Sequence, residues 1–223
     1  MPVQIHPTAI VADGAKLADG VCIGAYSLIG PHVILKEKVK IHPHVVVDGY
    51  TTIGTKTEVF PFAAIGLAPQ NAHYKGEPST LEIGEGCIIR EHVTIHPGTE
   101  KGRMTTTVGN NCYIMVGAHI GHDCQLGNSV IMANNATLGG HVFVGDYANI
   151  GGLAAVHQYV RIGSYAMISG TAGVSEDVIP FGTVVAMRGK LGGLNIIGMK
   201  RRGFERQDIH ELRSAYKLLV KDQ

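Results

Sequence analysis

Tryptophan is absent from the 223-residue chain, and aromatic side chains make up only 6% of it. With Gly at 30 residues, nearly twice the usual share of about 7%, that scarcity argues against an ordinary helical bundle, which favours Ala, Leu, Glu and Lys. A dominant charge is missing too. Nineteen Lys and Arg stand against 18 Asp and Glu, so no global field draws the chain toward nucleic acid or an anionic membrane. No apolar run approaches the roughly 18 residues of a spanning helix, which predicts no stable membrane insertion. The opening MPVQIHPTAI has no basic-then-apolar leader. Cysteines 22, 87, 112 and 124 show no CxxC spacing, so neither a disulfide framework nor a zinc knuckle is indicated. A cytoplasmic, reducing setting is the expectation. The one odd excess besides glycine is histidine, at 12.

What is present is a repeat. Counting in sixes from Ile5, every position through Ile65 is aliphatic; the phase returns at Ile83, Ile89 and Ile95 and runs again from Val108 to Val174. Two residues earlier lies a second column of mostly small residues, such as Val21, Ser27, Cys112, Ala118 and Cys124. Two inward positions separated by one outward residue mark an extended strand. Glycine often follows the aliphatic (Gly24, Gly54, Gly121, Gly139), where a bend between strands is expected to need its dihedral freedom. A period of six fits neither a coiled coil nor a helical solenoid. The [LIV]-G-x-x-[small]-x pattern resembles the hexapeptide-repeat proteins, which implies an all-β left-handed parallel β-helix of triangular section over residues 1–190. Twenty-six such hexads, three per coil, give between eight and nine coils, or a prism roughly 40 Å long at ~4.8 Å per strand spacing.

Residues 67–80 lose the aliphatics and carry two prolines, which predicts an excluded loop. Seven extra residues lie between Ile95 and Val108. After Val174 the pattern dissolves. A short helix within 192–202, ended by Gly203, and an amphipathic helix over 205–220, with Ile209, Leu212, Tyr216 and Leu219 on one face, are expected. Together they make a C-terminal helical segment over 191–223.

Residues 18 apart in uninterrupted register should stack. His122, Gly140 and Gln158 form one such file, and Asp123, His141 and Tyr159 the next. His157 adjoins Gln158, and His119 is one short strand from His122. Corrected for the seven extra residues, His96 falls in the file of Gly121. Five histidines, an aspartate and a glutamine thus gather near one edge. Imidazole titrates near neutrality, and a carboxylate beside it fixes its tautomer. Asp123 reaches His122 only if a corner turns it round, because neighbours on a strand face opposite ways. The bare backbone of Gly140 could offer an N–H to an oxyanion. Base plus oxyanion donor is equipment for acyl transfer. Cys87, Cys112 and Cys124 sit in the small inward column and are expected to be inert core.

The runs YKGEP (74–78), IREHVTIHPGT (89–99), AHIGHDC (118–124), IMANNATLGGHV (131–142), GGLAAVHQY (151–159) and NIIGMKRRGF (195–204) resemble the UDP-N-acetylglucosamine 3-O-acyltransferase family across essentially the whole chain. The resemblance implies a homotrimer acting in lipid A biosynthesis, without metal, cofactor or covalent intermediate. It would move a 3-hydroxyacyl group from acyl carrier protein to the sugar 3-hydroxyl of UDP-N-acetylglucosamine. It also implies roles: His122 as base, Asp123 as its orienting partner and Gly140 as oxyanion donor. His96, His119, His141, His157 and Gln158 would contact the sugar nucleotide or the pantetheine arm. Gln70, Asn71 and His73 would hold the sugar from an adjacent subunit, and Asn195, Arg201 and Arg202 would meet the diphosphate or the carrier arm. Met167, Gly170 and Arg188 would bound the acyl pocket. The alternatives are a relative using a 3-amino sugar nucleotide or a coenzyme A thioester, and a zinc carbonic anhydrase of the gamma type, for which His119-x-x-His122 has a ligand-like spacing.

Overall fold

The computed structural model describes residues 2–186 and 193–219, which fall in two compact units, 1–186 and 187–223. In the first, strands mostly two residues long build three parallel sheets of ten, nine and eight strands. Each strand pairs with the one a full circuit later: Gln4 with Cys22, Tyr113 with Ile131, His119 with Thr137. Eighteen residues therefore make one coil of a left-handed parallel β-helix.

Both inward columns are buried. Val21, Val33, Ala118 and Ala136 of the small column, and Leu35, Ile120 and Leu138 of the large one, are fully inaccessible. Burying each such Val, Leu or Ile side chain stabilises the fold by roughly 1.5–3 kcal/mol. Each coil gains this burial only against its two neighbours, as in any solenoid. Cys87, Cys112 and Cys124 pack in this interior, and burial pushes the Cys124 thiol up to about 12, far from a reactive thiolate.

Glycine after the aliphatic is expected to supply the corner angle; the structure assigns it another reason. Gly24, Gly54, Gly121 and Gly139 do not adopt positive φ. A Cβ on Gly24 would stand 2.6 Å from the backbone of Pro43, and one on Gly121 2.8 Å from that of Gly139. These positions are glycine because successive coils touch there. The left-handed corner residue comes two positions later and is mostly not glycine: Tyr26, His44, Phe62, Asp123, His141 and Tyr159 all have φ near 60°. That conformation is unfavourable for an L-residue. It is offset by a backbone bond to the previous coil, as from His141 N–H to the His122 carbonyl at 2.8 Å.

The two register breaks are insertions at corners. Glu58 pairs with Ile88 across the first, so twelve residues are added to that coil and the count in sixes survives. Thr94 pairs with His119 across the second, which adds seven. The prism also runs past Val174, where the sequence pattern stops. Val178 bridges to Ile162 and the strand Thr183–Val184 pairs with Met167–Ile168, so a partial coil follows that the aliphatic count misses.

The second unit contains helix α1, Ile196–Arg201, and helix α2, Arg206–Leu219, which contact each other. Asn195 caps α1, its side-chain oxygen accepting from Gly198 N–H at 2.9 Å, which starts the helix four residues later than expected. Gly203, at φ 80°, follows its end. Arg188 lies outside the described residues.

Candidate active site

The corner that joins strand His119–Ile120 to strand Gln125–Leu126 carries His122 and Asp123. Positive φ at Asp123 (61°) supplies the turn the sequence argument requires, swinging its carboxylate back under its neighbour. His122 Nδ1 lies 2.8 Å from Asp123 Oδ2, with the carboxylate fully buried and the imidazole 15% exposed. A carboxylate on Nδ1 keeps the proton there and leaves Nε2 as the basic nitrogen of the neutral ring.

The Asp123 carboxylate is heavily supplied with donors. Thr99 donates from Oγ1 to Oδ2 at 2.7 Å and from N–H to Oδ1 at 3.1 Å, and Arg103 N–H donates to Oδ1 at 2.7 Å. Burial alone would raise this carboxyl's pKa. The bonds from Thr99, His122 and Arg103 outweigh it and hold the group below its ordinary value. Its own N–H is taken by Thr106 Oγ1 at 2.8 Å.

One coil further on, Gly140 lies against the imidazole. A Cβ there would fall 2.6 Å from His122 Cε1 and 2.8 Å from Nε2, so only glycine fits this ring. Among the described residues the Gly140 N–H donates to no acceptor. His141 meets the His122 ring edge-on at 4.9 Å and stacks flat on Tyr159 at 4.4 Å; burial lowers its pKa. Asn71 Nδ2 approaches His122 Nε2 at 3.4 Å. In this structure the excluded loop thus lies over its own chain's histidine.

His96 and His119 form a second pair beside the first, their rings edge-on at 5.3 Å. His119 Nδ1 contacts Thr94 Oγ1 at 2.7 Å, and burial pushes its pKa down to about 4, so it is neutral at pH 7. His96 is buried, with Nδ1 donating to the Leu67 carbonyl at 3.0 Å. The zinc alternative pairs His119 with His122. Among the described residues, however, the side chains whose ligand atoms converge within 4.8 Å are His122, Asp123 and His141, and His119 is not one of them.

Among the described residues of the first unit, the other expected side chains form no hydrogen bond with His122. His157 and Gln158 are exposed one coil beyond Gly139 and Gly140, and the His157 ring bonds the Gln158 carbonyl at 3.1 Å. Gln70 is exposed, and so is His73, whose backbone N–H donates to Asn71 Oδ1. Met167 is on a strand of the ten-stranded sheet and Gly170 in the corner that follows it, toward the nine-stranded sheet, a different edge of the prism from His122. Asn195, Arg201 and Arg202 belong to the second unit, where the two arginines are exposed. Sequence reasoning missed Thr99, Arg103 and Thr106. Thr94 was within its reach, since the corrected register of 25 residues sets it beside His119.

With this geometry in hand, similarity to known proteins is informative. Residues 105–140 match the bacterial transferase hexapeptide family (six repeats), and residues 177–223 match "Udp N-acetylglucosamine O-acyltransferase; Domain 2". The acyl-[acyl-carrier-protein]–UDP-N-acetylglucosamine O-acyltransferase of Azorhizobium caulinodans is 59% identical over 96% of this chain and 79% of its own length. That of Rickettsia typhi is 59% identical over 92% and 78%. The solved UDP-N-acetylglucosamine acyltransferase of Campylobacter jejuni aligns over 99% of this chain and 86% of its own, with TM-score 0.80 and 40% identity.

Proposed function

This chain belongs to the UDP-N-acetylglucosamine O-acyltransferase family, and from that premise we propose that it transfers a 3-hydroxyacyl group from acyl carrier protein to the glucosamine 3-hydroxyl of UDP-N-acetylglucosamine, the first step of lipid A biosynthesis, in the cytoplasm. One observation carries the mechanism: His122 is tied through Nδ1 to a buried carboxylate while Nε2 faces Gly140.

In this reading Nε2 takes the proton of the sugar 3-hydroxyl as its oxygen attacks the thioester carbon. The tetrahedral oxyanion accepts the free N–H of Gly140. Collapse breaks the carbon–sulfur bond, and the departing pantetheine sulfur receives the proton from His122. Asp123 keeps the ring in the right tautomer and stabilises the imidazolium formed in between. Asn71, already at Nε2, yields its place to the acceptor hydroxyl and holds the sugar beside it. Gln70 and His73 on the same loop, with His96, His119, His141, His157 and Gln158, line the remainder. Exposed Arg201 and Arg202 suit a diphosphate or the acidic surface of a carrier protein. Met167 and Gly170 stand at another edge of the prism, so an acyl pocket beside His122 needs that edge from a second copy. A homotrimer, with three prisms side by side, meets this requirement.

The test is incubation with UDP-N-acetylglucosamine and mixed acyl carrier protein thioesters, followed by mass spectrometry of the products. O-acylated sugar nucleotide is expected, and His122→Ala is expected to lower the rate by at least about 10²-fold. Product only from a 3-amino acceptor or a coenzyme A thioester replaces the substrate assignment. Wild-type rate in His122→Ala removes the base.

A further inference from the structure

The second insertion, seven residues beyond a normal coil, has no place in the repeat, and in the structure it closes on the catalytic pair from behind. Three of its backbone and side-chain donors converge on one buried carboxylate: Thr99 Oγ1, Thr99 N–H and Arg103 N–H. Gly102 completes the wrap, since a Cβ there would fall directly on the Asp123 carboxylate. The first insertion is fastened to the second. Glu77 accepts from Lys75 N–H at 2.8 Å in its own loop and from Glu100 N–H at 3.1 Å in the other. The loop that places Asn71 on Nε2 and the loop that grips Asp123 are thus one linked assembly.

We propose that Thr99 is a positioning residue for the acyl transfer, acting through Asp123 on His122, and that the seven-residue insertion exists to hold this carboxylate. The inference rests on His122 being the base. Asp123 Oδ2 receives two donors, Thr99 Oγ1 and His122 Nδ1, and the His141 Nδ1 of the next coil faces the same oxygen at 3.9 Å. The hydroxyl fixes the oxygen's position and leaves the remaining lone pair aimed at the imidazole. Without it Oδ2 keeps the imidazole as its one donor and the carboxylate is held through Oδ1 alone, so the orientation of the ring toward Gly140 loosens. The two backbone N–H donors on Oδ1 limit the movement of the group but do not replace the bond made at Oδ2, the oxygen that faces the imidazole.

Steady-state kinetics of the full chain with Thr99→Val and Thr99→Ser test this. Thr99→Val keeps the shape and removes the hydroxyl. A drop in kcat of about tenfold is expected with KM for the sugar nucleotide unchanged, the loss of a hydrogen bond to a charged group. With one donor fewer, Asp123 protonates at higher pH, so the acid limb of the kcat/KM profile should move upward. Thr99→Ser should restore both the rate and the profile. Gly102→Ala presses on the same carboxylate and should give the same kcat loss, and it decides the matter if the valine variant does not fold. A folded Thr99→Val or Gly102→Ala with wild-type kcat and pH profile overturns the proposal while leaving the acyl transfer intact. A wild-type chain without acyl transfer overturns the function on which it rests.

Discussion

Gly140→Ala is the sharpest probe of how the site is built, because it adds one carbon and removes no functional group. The new Cβ would stand 2.6 Å from His122 Cε1, and ordinary contact begins at 3.4 Å, so the ring or the corner has to give by about 0.8 Å. The ring has little room to yield, since Nδ1 is held at 2.8 Å by a buried carboxylate that is itself fixed by Thr99 and Arg103. Misplacing a catalytic group by roughly 1 Å costs on the order of 10²-fold in rate, about 2.7 kcal/mol of barrier. Stability should fall by about 1–3 kcal/mol, the cost of overpacking a filled site, with no backbone strain added because Gly140 does not use the left-handed region. Gly173→Ala is the control: nothing lies within 4 Å of its added Cβ. The assay is the acyl-transfer rate at saturating substrates, with a thermal melt of each variant. A Gly140→Ala enzyme that melts like the wild type and turns over within threefold of it would refute the picture of imidazole packed on bare backbone.

Two further outcomes follow from the same geometry. The Asp123 carboxyl has a depressed pKa in the folded chain, so the stability it contributes is complete above the ordinary aspartate value of about 3.9 and is lost as pH falls through the folded value. Asp123→Asn should therefore melt below the wild type at pH 7, and the gap should narrow at pH 3; a gap that widens in acid contradicts the assignment. Cys124→Ala should keep nearly all activity and lose about 1 kcal/mol or less of stability, the size of a small core truncation, since the thiol is buried and its pKa is near 12. An acyl group trapped on Cys124 by mass spectrometry would overturn direct transfer to the sugar.

The period of six was enough to read the coil, the two inward columns and the stacking of His122 on Gly140, because a strict repeat turns sequence distance into axial distance. It was enough to put His96 in the file of Gly121 too, once the seven extra residues were subtracted, and the neighbouring Ile95 does pair with Ile120. It could not say why glycine follows the aliphatic, since close approach between coils and turn dihedrals leave the same residue in the sequence. Nor could it reach Thr99 or Asn71. Both ride on insertions, where no register relates position in the chain to position in space, and their partners lie 24 and 51 residues away. The strand Thr183–Val184 escaped because the circuit there is two residues short: Val178 and Val184 pair with Ile162 and Ile168, sixteen residues back instead of eighteen, so the count in sixes loses its phase after Val174.

Stacking of like on like has a consequence for how such a molecule can change length. The atoms proposed to be catalytic sit between Thr94 and Gln158, and each rung beneath them is fixed only by the rungs it touches. Excising a whole eighteen-residue circuit nearer the start, such as 24–41, joins Ile23 to His42 in unbroken phase and shortens the rod by one storey. The spacing of imidazole, amide and carboxylate is left as it was. Chemistry and stature are therefore separable in this architecture, and the rod can grow or shrink at one end while the reacting edge keeps its dimensions.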